Sequence, residues 1–231
     1  MTTTGRALDS ASARRIADAF LPARWHGNRW HHYYALSKLR SDPLYPGVVD
    51  ALRGSQAPLL DLGCGIGLLA HALRAAGLAL PYHGVDNDTA KIAQARRAAG
   101  NAALSSVDFA VHDLAGGLPA HRGSVAILDV LQFVLLPAQE AILDAAIAML
   151  VPGARLVIRT CLDDGSRRAR TTRSIDTLSR ALRWMNAGPE HYPDADAMQA
   201  KFAAAGLRSE FTPLYGNTPF NNWRVVATQP E

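Results

Sequence analysis

The sequence predicts an α/β fold in which a helical N-terminal extension precedes a seven-stranded, mostly parallel sheet with an antiparallel edge strand. Three observations predict this fold. After Gln56, short apolar runs alternate with helical stretches, as expected of buried parallel strands joined by helices. Residues 10–53 have a helical pattern and no comparable alternation. Near the C-terminal end, two strand-like runs flank a Gly/Asn/Pro-rich segment at 216–222, which is typical of an antiparallel hairpin.

The composition limits the class of protein. The 231 residues suffice for one such domain with a full core, and 48% hydrophobic with 19% charged residues is typical of a globular chain. The longest apolar run, 126–136, is too short and too polar to span a bilayer, and the first nine residues lack signal-peptide features. These observations predict a cytoplasmic protein. Cys64 and Cys161 have no disulfide or metal-ligand spacing, so we expect small buried fillers and no metal.

The net charge of +4 raises the question of a nucleic-acid partner. The basic residues are nearly all arginine, since lysine occurs only at Lys38, Lys91 and Lys201. Together with abundant alanine, this bias is as typical of a high-GC bacterial genome as of a binding surface. The charge by itself therefore does not indicate nucleic acid.

The predicted elements follow from caps, glycines and prolines. Asp9 or Ser10 caps the first helix and Pro22 ends it, while Asn28 caps the second. The predicted helices of the extension are 10–20, 28–40 and 47–52. The predicted strands are 59–62, 80–86, 106–111, 125–128, 155–160, 208–212 and 223–227, and the helices among them are 67–76, 88–99, 138–150, 167–185 and 195–205. We divide the chain into an extension, 1–56, and a ligand-binding domain, 57–231.

The first strand leads into the glycine-rich turn Gly63-Cys64-Gly65-Ile66-Gly67. A strand that turns at once into a helix while its backbone lies against a ligand requires glycine, and open parallel sheets bind ligands at this edge. Three further features refine the motif: Asp61 precedes the turn, Leu68 stands where a dinucleotide pattern has another glycine, and Asp86 ends the next strand. That last carboxylate is placed to accept hydrogen bonds from both hydroxyls of a ribose.

These motifs, in this order over residues 57–160, resemble those of class I S-adenosylmethionine-dependent methyltransferases, which have a Rossmann-like fold. The segment 61–67 is similar to the first motif of that family. The later steps are Gly84-Val85-Asp86 for the ribose, His112-Asp113-Leu114 for the adenine, Ile127-Leu128-Asp129-Val130-Leu131 after the fourth strand, and the turn at 150–156. The resemblance implies S-adenosylmethionine as cofactor.

The resemblance also implies a role for each site residue. The glycine turn would pass close to the methionine portion and the ribose. Asp61 would engage the methionine amino group, Asp86 the ribose, Asp113 the adenine amine, and the Leu114 backbone the ring. The complete predicted set of cofactor-binding residues is Tyr34, Asp61, Gly63, Cys64, Gly65, Gly67, Asp86, Asn87, Asp113, Leu114 and Asp129.

The extension carries a dense aromatic and imidazole cluster: Trp25, His26, Trp30, His31, His32, Tyr33 and Tyr34. One interpretation is that its aromatic side packs on the sheet. The other is a lid, with Tyr34 on the methionine carboxylate and a histidine facing the substrate. Lys38 either pairs with the same carboxylate or is exposed. The spacing Tyr34-x-x-x-Lys38-x-x-x-Asp42-Pro43 also resembles methyltransferases of bacterial aryl-polyene-type pigment pathways.

We predict methyl transfer to a small-molecule or carrier-bound acceptor, at oxygen. A hydroxyl acceptor needs a base, for which His31, His32 and His191 are the candidates, whereas a carboxylate needs none. A second cluster holds Arg159, Arg167, Arg168, Arg170, Arg173, His191 and Tyr192. It is either a solvated face or a site for an anionic partner: a carboxylate substrate, a phosphopantetheine arm or an acidic carrier protein.

Three alternatives compete with this interpretation. An RNA or DNA methyltransferase is disfavoured because Asp129-Val130-Leu131-Gln132 lacks the Asn/Asp-Pro-Pro-aromatic signature of enzymes that methylate amino groups of nucleic acids, and because no RNA-binding module is visible. A nicotinamide-dependent oxidoreductase of similar fold is disfavoured by Leu68 and Asp61. A cofactor-binding protein without catalysis stays open at this point.

Overall fold

A computed structural model of the chain describes residues 5–162, 191–216 and 220–229. Within these residues, strands β1 to β7 form one sheet. Their bounds are β1 Leu59–Leu62, β2 Tyr82–Asp86, β3 Val107–Val111, β4 Ser124–Leu128, β5 Arg155–Cys161, β6 Arg208–Pro213 and β7 Asn222–Thr228. The strand order is β3-β2-β1-β4-β5-β7-β6.

The pairing of the strands confirms the predicted fold class. The first five strands pair in parallel, and β7 is antiparallel to β5 along the whole length of both strands. β7 is also antiparallel to β6, so these two strands form the predicted hairpin. The antiparallel strand therefore lies one place inside the sheet, and β6 is the edge. A short connection makes β6 and β7 run in opposite directions, and β7 takes the place beside β5.

Helices lie before and between the strands: α1 Ser10–Asp18, α2 Trp30–Ser41, α3 Leu44–Leu52, α4 Leu68–Ala75, α5 Thr89–Asn101, α6 Leu136–Ala148 and α7 Ala195–Ala204. α3 begins three residues before the predicted start. The Asp42 side chain accepts a hydrogen bond from the Leu44 N–H at 2.9 Å, and Pro46 sits in the first turn, where its missing N–H is not needed. The helix predicted over 167–185 lies outside the described residues.

Asp9 and Asp88 cap helices as predicted. Asp9 accepts from the first backbone N–H groups of α1, and Asp88 accepts from those of α5. The helices within residues 5–162, 191–216 and 220–229 are all too short or too polar to cross a membrane.

The extension and the sheet share one hydrophobic core. Phe20, two residues after α1, and Leu39 of α2 are fully buried in the same cluster as Leu59 and Ala126 of the sheet. A second cluster on the opposite side of the sheet contains the apolar faces of α6 and α7, including Leu143 and Phe202. Within the described residues the boundary expected at residue 56 therefore does not separate two cores. The consequence for the site is that α3 packs against α4 and β5, while α2 packs against α1.

Candidate functional site

A cleft of about 590 Å³ opens at the carboxyl ends of β1, β2 and β4. The sheet connections diverge here, because β1 lies between β2 on one side and β4 on the other. Ligands of open α/β sheets bind at such a switch point. The turn after β1 forms the floor, α2 forms one wall, and the segment after β4 forms the other.

The three glycines of the turn all have positive φ, but their surroundings differ. A Cβ on Gly63 would collide with Val130, and one on Gly67 would lie 2.7 Å from the ring of Phe109. At Gly65, where φ is +58°, a Cβ would meet no atom within 4 Å. Gly63 and Gly67 are thus required for packing within the protein as well as for the turn. Gly63 and Gly65 both line the cleft, and of the three glycines Gly65 is the one with open space at its Cβ position.

Asp86 joins the end of β2 to the glycine turn. Its Oδ2 accepts a hydrogen bond from the Gly65 N–H at 3.0 Å, and its Oδ1 accepts one from the Asp88 N–H at 3.0 Å. The Lys91 ammonium lies 3.9 Å away. Each carboxylate oxygen keeps a further lone pair, and the side chain lines the cleft. Asp86 is therefore held rigidly with two acceptor sites to spare.

Asp61 is a buried carboxyl group, and one of its two oxygens has no hydrogen-bond partner within the described residues. The Tyr82 hydroxyl donates to its Oδ2 at 2.5 Å, while its Oδ1 is buried without a hydrogen-bond partner in the part of the chain that the structure describes. Burial raises the pKa of Asp61 to about 7, against the hydrogen bond from Tyr82. Asp61 also lines the cleft. A cationic donor such as an ammonium group would satisfy the free oxygen and favour the ionised form.

The two cysteines differ in their burial. Burial raises the pKa of the Cys64 thiol well above its usual range, so it is no thiolate nucleophile at neutral pH. Cys161 is buried, and its thiol lies 3.0 Å from the Asn222 side-chain oxygen. Cys161 therefore agrees with the expected buried filler, whereas Cys64 is only partly buried and also lines the cleft.

Of the three candidate bases, the structure brings His31 to the cleft. Burial and the nearby Arg97 charge lower the pKa of His31, which keeps its ring neutral at neutral pH. His32 points instead toward α1, where its Nδ1 lies 3.0 Å from the Ala17 carbonyl oxygen. His191 is exposed beside α7, outside the cleft lining, and its carbonyl accepts a hydrogen bond from Gln139.

The aromatic side of α2 does not pack on the sheet. Trp30 is 65% exposed and Tyr33 is 58% exposed, whereas Ala35 and Leu39 on the opposite side are buried. Trp30, His31, Tyr34 and Lys38 all line the cleft. The first of the two interpretations of this cluster is therefore wrong, and α2 forms a wall of the cleft.

The predicted adenine end lies beyond the cleft lining. Asp113 follows β3 and caps a short 3-10 helix, Leu114–Gly116, by accepting from the Ala115 N–H at 3.0 Å. Asn87 is exposed directly after Asp86. A backbone hydrogen bond connects this end to the end of β2, because the His112 N–H donates to the Asp86 carbonyl at 3.0 Å. The roles of these residues stay predictions.

The structure corrects the interpretation of Arg159 as part of a surface for anions. Its side chain is 4% exposed and lies 2.9 Å from the carboxylates of both Asp42 and Asp129. Its charge is already neutralised, so it is not available to an anionic partner. The other residues of that set from 167 to 173 lie outside the described residues.

Sequence reasoning missed three residues of the site. Tyr82 supports Asp61 from the start of β2, Lys91 approaches Asp86 from α5, and the buried Tyr45 lines the cleft from α3. Burial raises the pKa of the Tyr45 hydroxyl well above its usual value. Of these three residues, Lys91 alone could have been found from the sequence, because it lies three residues after Asp88, the predicted cap of α5. The other two contacts depend on strand register and helix packing.

The fold and the cleft together define a Rossmann-like ligand-binding protein with acidic residues at the ends of β1 and β2. A family profile described as a methyltransferase domain matches residues 54–203. The chain belongs to this family, which confirms the family predicted from the sequence.

Two curated relatives are ubiquinone biosynthesis O-methyltransferases of Xylella fastidiosa. The protein of strain 9a5c is 36% identical over 109 residues, which cover 46% of this chain and 42% of the relative. The protein of strain M23 is 34% identical over 130 residues, which cover 55% and 49%. The chain thus spans about half the length of the curated relatives that it matches.

Solved structures share the fold. Magnesium protoporphyrin IX methyltransferase from Synechocystis PCC 6803, solved with bound SAH, has a TM-score of 0.62 at 17% identity, covering 95% of this chain and 94% of its own. Mitomycin 7-O-methyltransferase has a TM-score of 0.63 at 20% identity, covering 86% and 57%. These similarities confirm the arrangement of the sheet and helices.

Proposed function

We propose that the protein is an S-adenosylmethionine-dependent methyltransferase that methylates a small-molecule acceptor at oxygen. The observation that carries the proposal is the open backbone of Gly65 between two buried acidic side chains, Asp61 and Asp86. One of them has a free buried oxygen, and the other has two spare acceptor sites. Membership of the methyltransferase-domain family supports the same conclusion.

The donor set fits the chemistry of this cofactor from end to end. Asp61 suits the ammonium of the methionine portion, because it offers an unpartnered acceptor in a buried setting. Asp86 suits the ribose hydroxyls, and Asp113 with the Leu114 backbone suits the adenine. Tyr34 and Asp129, which line the same cleft, suit the amino-acid end.

The bound cofactor supplies a methyl group that its sulfonium already activates. The protein then has to bring the acceptor oxygen into line and exclude water. Trp30 and Phe133 both line the cleft and offer apolar surface for an acceptor. We propose His31, which lines the cleft and whose lowered pKa keeps its ring neutral at neutral pH, as the base that removes a hydroxyl proton.

The acceptor is proposed as a small molecule with a hydroxyl group. The names of the Xylella relatives and of mitomycin 7-O-methyltransferase support oxygen as the acceptor atom. A carrier-bound or anionic acceptor stays a narrower proposal, and the neutralised Arg159 gives it no support.

The experiment is calorimetry of the purified chain with S-adenosylhomocysteine and, separately, with a nicotinamide dinucleotide. We expect binding of the first ligand only. Incubation with labelled cofactor and a panel of phenols and carboxylic acids then identifies the acceptor class. His31→Gln should slow methylation of phenols at neutral pH without changing cofactor affinity. Absence of S-adenosylhomocysteine binding would contradict the proposal.

Asp61 predicts a pH dependence of cofactor binding. Because burial raises its pKa to about 7 and an ammonium ligand requires the ionised carboxylate, affinity for S-adenosylhomocysteine should fall about tenfold per pH unit below 7. The free energy of unfolding should depend on pH in the opposite way. Because folding raises the pKa of Asp61, its protonated form stabilises the fold at low pH, and this contribution is lost as pH rises through 7. Asp61→Asn should bind weakly, with both pH dependences flattened. Calorimetry and urea unfolding at pH 6 and 8 measure them, and an unchanged pH profile in the variant would contradict this role.

We also propose that the first turns of α2 close over the cofactor as a lid. The exposed aromatic side of this helix, which includes Trp30 and Tyr34, borders the cleft, while its other side is fixed in the core by Leu39. Hydrogen exchange at residues 30–34 should therefore slow on adding S-adenosylhomocysteine, more than exchange in α6 on the opposite side of the sheet. Equal responses in the two segments would make α2 a fixed wall.

A further inference from the structure

Large hydrophobic side chains are exposed beside the mouth of the cleft. Trp30 and Tyr33 of α2 are more than half exposed, and Trp30 also lines the cleft. Phe133 lines the cleft as well, and it is followed within three residues by Leu135 and Leu136, which are also more than half exposed. Because exposed apolar side chains that are gathered in one region mark contact sites, these residues indicate a docking surface. We call the following five residues the apolar rim: Trp25, Trp30, Tyr33, Leu135 and Leu136.

Trp25 is the most exposed member of the apolar rim, at 84%. It belongs to the connection between α1 and α2, which two hydrogen bonds hold against the start of α2. The Arg29 guanidinium donates to the Trp25 carbonyl at 3.4 Å, and the Trp30 N–H donates to the Asn28 side chain at 2.8 Å. The indole ring meets the ring of His26 edge-on, with the two centroids 5.4 Å apart. Trp25 therefore projects outward from a turn whose backbone is held in place.

Arginine side chains without acidic partners lie around the same surface. Arg24 and Arg29, which flank Trp25 in the sequence, are both exposed. Burial and the charge of Arg97, which approaches from α5, lower the pKa of His31. Among the described residues, none of these three guanidinium groups has a carboxylate oxygen within 4 Å. The apolar rim is therefore accompanied by unbalanced positive charge.

Tryptophan, tyrosine and arginine together are the composition expected at a lipid–water interface. An aromatic ring inserts among the headgroups while its polar atom stays near water, and arginines bind the phosphates of anionic lipids. A second copy of this chain would bring the same positive charge to the contact, which is unfavourable. An acidic protein would match the charge, but the projecting indole of Trp25, which lies outside the cleft lining, suits a deformable surface better than a rigid one. Charge and shape together therefore favour an anionic lipid surface.

We propose that the apolar rim docks on an anionic phospholipid surface, with Trp25 among the headgroups and with Arg24 and Arg29 against their phosphates. Because Trp30 belongs both to the apolar rim and to the cleft lining, the cleft then opens toward the lipid. The attachment is peripheral and reversible, since it uses a few side chains rather than a spanning segment. It goes beyond the proposed function and does not depend on it.

The first measurement is cosedimentation of the protein with phospholipid vesicles, without cofactor or acceptor. Vesicles of phosphatidylglycerol and phosphatidylcholine in equal parts are compared with vesicles of phosphatidylcholine alone. We expect binding to the anionic vesicles, at least about tenfold weaker binding to the neutral ones, and release of the protein as sodium chloride is added. Absence of binding to the anionic vesicles would overturn the proposal.

Two variants test whether the contact lies at the apolar rim. Trp25→Ser should weaken binding to the anionic vesicles about tenfold, because it removes the inserted ring. The double variant Arg24→Gln with Arg29→Gln should weaken this binding at least about tenfold, through the loss of two charges. All three side chains are exposed and outside the cleft lining, so the circular dichroism spectrum and the affinity for S-adenosylhomocysteine should stay as in the unaltered protein. Unchanged vesicle binding in either variant would overturn the proposal.

The matched control is the double variant Arg122→Gln with Arg208→Gln. Arg122 precedes β4 and Arg208 begins β6, so both of these exposed residues lie at the opposite edge of the sheet. The control removes the same amount of charge and should keep vesicle binding within about threefold. An equal loss in both double variants would mean that net charge governs binding, and would overturn the proposal. A dimer in solution that Trp25→Ser dissociates would overturn it too, because the apolar rim would then join two copies of the chain.

Discussion

Replacing Gly65 with valine should abolish binding of S-adenosylhomocysteine while the protein stays folded. A Cβ at Gly65 would meet no atom within 4 Å, so we expect the valine side chain to enter the cleft and fill the space of the proposed cofactor site. The left-handed φ of +58° adds backbone strain of roughly 1–2 kcal/mol. We expect affinity to fall at least a hundredfold, about 3 kcal/mol in binding free energy.

Gly206→Val is the matched control for that strain. Gly206 also has a positive φ, +72°, and open space around its Cβ position, but it follows the C-terminal end of α7 and is not among the residues that line the cleft. Both variants should lose similar stability in urea unfolding, and only Gly65→Val should lose the ligand. If calorimetry finds normal binding in Gly65→Val, the cofactor does not approach this turn.

Asp86→Ala should produce the second large loss of affinity. If Asp86 binds the ribose as proposed, the variant removes two charge-assisted hydrogen bonds, worth roughly 1.5–3 kcal/mol each, so the Kd of S-adenosylhomocysteine should rise about a hundredfold to ten-thousandfold. It also removes the acceptor for the Gly65 N–H, which leaves the glycine turn less well held. Calorimetry measures the affinity, and circular dichroism checks that the sheet is intact.

Asp88→Ala separates loss of the ribose contact from loss of a backbone acceptor. Asp88 is two residues away and accepts from the Ala90 and Lys91 N–H groups, which cap α5. Its removal should cost about 1 kcal/mol of stability and leave the affinity within about threefold. Equal losses of affinity in the two variants would mean that Asp86 acts only by supporting the backbone.

The sequence predicted the order of elements well because local chemistry sets their ends. Asp9 and Asp88 are helix caps whose side chains bind backbone N–H groups within three residues, so their effect is visible without tertiary structure. The start of α3 was harder to predict. Its first N–H, that of Leu44, donates to the side chain of Asp42, and Pro46, which directly precedes the predicted start, is tolerated in the first turn.

The histidines show the limit of the same reasoning at the site. His31 and His32 are adjacent on one helix, so they point about 100° apart, and sequence alone does not tell which side faces the cleft. Packing of α1 against α2 decides it by binding His32 to the Ala17 carbonyl. The exposed position of His191 likewise depends on where α7 docks on the sheet.

By itself the sequence determined the fold class, the family, the glycine turn and the acidic residues at the ends of the first two strands. Each of these depends on a motif within a few residues or on the regular alternation of strands and helices. Only the tertiary structure decided that Asp61 has a free buried oxygen, that α2 forms a wall of the cleft, and that Arg159 is enclosed among carboxylates. Those properties arise from burial and from contacts between residues far apart in the sequence, such as Asp42 and Arg159. Because no local sequence pattern connects such partners, the sequence alone does not predict their contact.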